Sequence, residues 1–77
     1  MKDFVSPIRV RMHYHLLKDK PSVILEIREK RYLLGAKDTY SQWRREDCKA
    51  ALKAIKKIRE KRKTKGPIKL KDVQFDD

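Results

Sequence analysis

Two histidines at alternate positions, His13 and His15, a single cysteine, Cys48, and 22 lysines and arginines are the side chains of this 77-residue chain with chemistry to offer. On an extended chain His13 and His15 project from the same side and could share a metal ion. A closed site needs more ligands than two. The chain has no third histidine, and Cys48 is expected on a helix in the opposite layer. No metal or other cofactor is therefore expected. A nucleophile would need a base beside it and a group to orient that base, and no spacing here assembles all three. Nor can a chain with two glycines hold a glycine-rich phosphate loop. No catalysis is expected, and Cys48 reads as a small buried residue.

What remains is charge. The net charge is +11 with neutral histidines, a positive field that attracts polyanions, and the commonest polyanion in a cell is nucleic acid. The cations are unevenly placed. Residues 1–38 carry nine Lys and Arg against five Asp and Glu, and residues 39–77 carry thirteen against six. Lys56, Lys57, Arg59, Lys61, Arg62, Lys63 and Lys65 form a run broken by Ile58, Glu60 and Thr64. Apolar runs such as Val23-Ile24-Leu25 fall far short of the roughly 20 residues a membrane span needs. Met1-Lys2-Asp3-Phe4 does not lead into the apolar block of a secretory signal. The expectation is an intracellular, cytoplasmic protein without a membrane partner. A lone cysteine agrees with a reducing compartment.

Several elements must position these charges. From Ile8 to Leu17 the chain alternates, with Ile8, Val10, Met12, Tyr14 and Leu16 on one side and Arg9, Arg11, His13 and His15 on the other. That pattern predicts a half-buried strand, started by Pro7 and ended by the turn residues Lys18-Asp19-Lys20-Pro21. A second strand is expected over Ser22–Arg28 and a third over Arg31–Gly35, reversing at Glu29-Lys30. This register sets Ile27 opposite Tyr32 and Leu25 opposite Leu34. Neither turn residue favours the positive φ of a tight hairpin. Thr39-Tyr40-Ser41-Gln42 has capping-box spacing and predicts a helix over Tyr40–Lys63. Its apolar stripe is Cys48, Ala51, Leu52, Ile55 and Ile58, and Gly66-Pro67 stops it. The expected fold is α+β, a three-stranded antiparallel β-sheet with one C-terminal α-helix packed on one face (β-β-β-α). Trp43, Tyr14 and Tyr32 would close the edges of the core. Residues 1–66 would form a basic nucleic-acid-binding domain. Residues 67–77 would be a tail or linker stub that could serve as a fourth edge strand, a docking segment, or the start of something further.

In that fold the bare side of the sheet displays Arg9, Arg11, His13 and His15 from the first strand, Ile24, Glu26 and Arg28 from the second, and Arg31 and Leu33 from the third, with Lys30 at the reversal. Arginine forks can take guanine O6 and N7 together, and a small sheet can enter the roughly 12 Å major groove of DNA. Arg44 and Arg45 near the helix start oppose the helix dipole and so point to another partner. Arg59, Lys61, Arg62, Lys63 and Lys65 would hold phosphates without reading sequence.

The order of a strand over Ile8–Leu17, a strand over Val23–Arg28, the short segment Lys30-Arg31-Tyr32-Leu33-Leu34-Gly35, Trp43 and then a basic helix resembles the amino-terminal arm-binding domains of tyrosine recombinases, the integrases of phages and mobile elements. The resemblance implies that the sheet sits in the major groove of arm-type DNA sites, with Arg9, Arg11, His13, Arg28 and Arg31 as readers. The chain leaves no room for that family's catalytic domain or its tyrosine nucleophile. The expectation is an arm-binding domain by itself or a small protein of similar shape, acting in recombination or regulation of a phage or mobile element. Double-stranded DNA is thus the first partner expected and RNA the second. The third is an acidic protein surface, met by Leu17, Ile24 and Leu33 among the cations or by a strand added through Val73-Gln74-Phe75. The residues do not fix the oligomeric state.

Overall fold

A computed structural model of the chain describes residues 3–64. Those residues form three helices: α1 (Pro7–Leu17), α2 (Ser22–Ala36) and α3 (Gln42–Arg62). Among the described residues there is no strand, so the expected sheet is replaced by an all-α fold. The predicted tail over 67–77, Lys65 and the Gly66-Pro67 stop lie outside the described residues.

The alternation of the first segment has a helical origin. A spacing of two residues turns a helix by about 200°, so one alternating run is also two stripes of i, i+4 spacing on opposite faces. Val10, Tyr14 and Leu17 lie inward, while Ile8, Met12 and Leu16 face out with more than half of their surface accessible. Ser6 and Pro7 begin a helix and not a strand. The Ser6 hydroxyl accepts the Arg9 amide at 3.4 Å, and Pro7 occupies the first turn, where its missing N–H costs nothing.

The two strands expected over Ser22–Arg28 and Arg31–Gly35 are one continuous helix, and the expected turn at Glu29-Lys30 is its middle. Leu25, Glu29, Tyr32 and Ala36 turn inward at helical spacing. Glu29 is 1% exposed, buried against the guanidinium of Arg59 on α3, which is 8% exposed. The charge that read as a turn is an interior ion pair.

The expected C-terminal helix is present, with a shifted start. Ser41 caps it in place of Thr39, its hydroxyl accepting the Arg44 amide at 3.2 Å, while Asp38 takes the amides of Tyr40 and Ser41. The helix closes at Lys63, which adopts the left-handed conformation (φ 57°) as the Lys63 and Thr64 amides turn back to the Glu60 and Arg59 carbonyls.

Both other helices pack chiefly on α3, and α1 meets α2 only through a few side chains such as Leu17 near Leu25 and His13 against Tyr32. Ala50, Ala51, Leu52, Ala54 and Ile55 are fully buried. Val5 and Val10 cover Ala50 and Ala54, Ala36 covers Cys48 and Leu52, and Leu17 and Leu25 meet on Ile55 and Ile58. The alanines let α1 close on one side of α3. On the other side Gly35 performs that service, because a Cβ there would overlap Cys48 Sγ. Tyr14 and Tyr32 border these clusters, as expected of them, whereas Trp43 is 63% exposed and closes nothing. Leu17, expected at a partner surface, is core.

Replacing Glu29 with Ala leaves the Arg59 charge buried without its partner, and the expected loss is about 3–5 kcal/mol in urea unfolding. The double variant Glu29→Leu/Arg59→Met should recover most of that loss. Gly35→Ala should cost about 1–3 kcal/mol through overpacking, and adding Cys48→Ala, which removes the obstructing sulfur, should return most of it in the same assay.

Candidate nucleic-acid interface

The fourteen basic residues singled out from the sequence fall into five groups. Four are structural. Arg59 sits in the buried pair with Glu29. Arg62 Nη2 donates to the carbonyls of Lys18 (2.8 Å) and Lys20 (2.6 Å), fastening the α1–α2 connection to the end of α3. Arg45 grips Asp3 with Nε at 3.0 Å and Nη2 at 3.2 Å, and donates through Nη1 to the Asp38 carbonyl. His13 lies against Asp47, Nε2 to Oδ1 at 3.1 Å, with its ring edge-on to Tyr32.

Two more are engaged near the surface. The Arg9 guanidinium lies 4.9 Å from the centre of the Trp43 ring, and Arg44 pairs with Asp38 at 3.2 Å. Arg28, Lys30, Arg31 and Lys63 are exposed, the first three on α2. Lys65 lies outside the described residues. The remaining three, Arg11, His15 and Lys61, come together around Tyr14.

There α1 and α3 leave an open crevice of about 380 Å³ lined by Val10, Arg11, Tyr14, Lys57 and Lys61. Its floor is the Val10 side chain and the Tyr14 ring, both anchored in the core behind. Lys61 Nζ stands 5.7 Å from the centre of that ring, and His15 meets its edge at 5.9 Å. The geometry follows from helix periodicity. Lys57 and Lys61 are one turn apart on α3, as are Arg11 and His15 on α1, so Arg11 faces two lysines across one aromatic ring and the His15 imidazole lies against that ring's edge. No acidic residue lines the crevice, and α1 contains none. Arg11 and Lys57 make no ion pair among the described residues. An apolar floor with a rim of donors suits an anion that carries a flat or apolar part.

Tyr14 and Lys57 are the members that the sequence reading passed over as ligand-binding residues. Lys57 belongs to the basic run already noted, and the helical spacing of Lys57 and Lys61 was the available signal. Tyr14 had been assigned to the core edge, which is correct for one side of its ring.

Comparison with protein-family models, curated proteins and solved structures finds no match to this chain. The strand order on which the resemblance to recombinase arm-binding domains rested is absent, so that resemblance carries no geometry here. His13 and His15 take different partners, and no group of three or more His, Cys, Asp or Glu that could hold a metal occurs among the described residues. No helix among them is long and apolar enough to cross a membrane.

Much of the acidic complement is spent on holding the N-terminal segment and α1 to α3. Hydrogen bonds from Arg45 and Lys49 bring the Asp3 carboxyl down from 3.8 to about 2, and the Phe4 amide lowers that of Glu46. Burial pushes the Cys48 thiol up, which opposes reactivity. A carboxyl depressed in the fold stabilises it above its unfolded value and loses that contribution as pH falls through the folded one. The Asp3 contribution is therefore complete above about pH 4 and fades toward pH 2. In urea titrations Asp3→Asn should be less stable than the parent at pH 7, and the gap should close near pH 2.

Proposed function

We propose that the protein is a non-catalytic nucleic-acid-binding module that grips the phosphate backbone of double-stranded DNA along the edge between α1 and α3. The observation that carries this reading is the convergence of Arg11, Lys57 and Lys61, unopposed by any carboxylate, on a rigid aromatic floor. Two packed helices fix where these cations are rooted, and the field of a body with net charge +11 draws the duplex in. The bare sheet face expected to carry a row of arginines into the major groove is absent among the described residues. Contacts from lysine and arginine to phosphate hold and orient without selecting sequence.

In fluorescence polarisation with a duplex of mixed sequence, affinity should fall steeply with salt. The triple variant Arg11→Glu/Lys57→Glu/Lys61→Glu should lose tenfold or more and flatten the log–log salt slope by about 2 to 3, near 0.9 for each phosphate contact removed. The same charge change on α2, Arg28→Glu/Lys30→Glu/Arg31→Glu, should cost less. Equal losses would assign binding to overall charge and remove the crevice from the account. Tighter binding to single strands that is lost in Tyr14→Ala would replace backbone gripping with base stacking.

A further inference from the structure

The outward face of α1 carries a second surface, an apolar row that the crevice does not use, although Arg11 and His15 border both. Ile8, Met12 and Leu16 are 70%, 59% and 65% exposed and follow one another at i, i+4, i+8. Phe4, at the same spacing and 65% exposed, precedes them. Trp43, 63% exposed, is held beside the first turn of α1 by Arg9. The row from Ile8 to Leu16 runs about 12 Å, at about 1.5 Å per residue. Apolar side chains aligned in this way on a monomer mark an interaction site.

The charges around the row identify the occupant. Arg9 lies on one flank and Arg11 and His15 on the other, and α1 contains no acidic residue. A second copy would bring the same cations against themselves, on a molecule already at +11. A partner with apolar residues at helical spacing between Asp and Glu satisfies both the row and its rim. The shape agrees, because a ridge of i±4 side chains fits the corresponding groove of another helix. An anionic lipid surface would meet the same charges and is a competing outcome of the test. α2 also presents an outward apolar row, Val23, Ile27 and Leu34, but α1 and α2 cover different sides of α3, so the two rows face different ways.

We propose that the Ile8–Met12–Leu16 face of α1 is a docking site for an acidic amphipathic helix of another protein. The probe is a fluorescently labelled designed peptide of 14 residues or so, with Leu at i, i+3, i+4 and i+7 spacing and Glu at most other positions. A scrambled peptide of identical composition serves as the control. Titrated with the intact protein, the patterned peptide should bind at least tenfold more tightly than the scrambled one. Met12→Glu should abolish that preference and Ile27→Glu on α2 should leave it intact, with circular dichroism confirming that both variants keep the parent helix content.

Equal binding of the two peptides, or an undiminished preference in Met12→Glu, overturns the proposal, as does failure of the patterned peptide to bind. Two further measurements can overturn it. One is sedimentation equilibrium showing a dimer that Met12→Glu dissociates. The other is phosphatidylserine-containing vesicles that capture the parent through Met12 and compete with the peptide for it. Lys57 and Lys61 lie on α3, away from the row, so loss of DNA binding in Lys57→Glu/Lys61→Glu has no bearing on any of these outcomes.

Discussion

The buried pair of Glu29 and Arg59 is the constraint around which the rest is arranged. Two opposite charges taken out of water at the middle of α2 and near the end of α3 tolerate little displacement, because a shift of either helix would strand both. The pair therefore sets the register of α2 on α3, and with that register fixed Leu25 meets Ile55 and Ile58, and Ala36 meets Leu52. Apolar contacts supply the greater part of the burial. They are interchangeable in a way that an ion pair is not, so the charges choose among packings the hydrocarbon alone would leave nearly equal.

The helix α3 was legible because a single face of it was apolar at one period, and its buried stripe was read correctly from Cys48 to Ile58. The other two helices were misread for one physical reason. A helix apolar on two opposite faces, such as α1 with Val10, Tyr14 and Leu17 on one and Ile8, Met12 and Leu16 on the other, has its stripes offset by two residues. It writes the same alternation as a strand. In α2 the interior carboxylate of Glu29 broke the apolar pattern where a helix would have continued it. The missing turn chemistry at Glu29-Lys30 was the one local sign against a hairpin, since neither residue takes positive φ readily. Without the helices the crevice was invisible, as Tyr14 and Lys61 are 47 positions apart in the chain.

Counting cations overstated the binding surface. A basic residue on a small protein is as available to a neighbouring carbonyl or carboxylate as to a ligand, and four of the predicted binding residues, His13, Arg45, Arg59 and Arg62, are engaged in that way. Those four join segments far apart in sequence, which is work suited to arginine's planar fork and to a ring with two nitrogens. The lysines at the crevice do no such joining. The division between cations that hold the fold and cations that face outward follows from burial, and charge runs in a sequence carry no information about it.

Because α1 and α2 lean on α3 and hardly on each other, the order in which the chain is made has a physical cost. A growing polypeptide emerges with both peripheral helices before their shared support exists, and each displays hydrocarbon on two sides until then. Neither peripheral helix can bury its inward face until the third segment has been made. During that interval residues 1–38, with nine cations against five anions, have a net charge of only +4 to oppose aggregation.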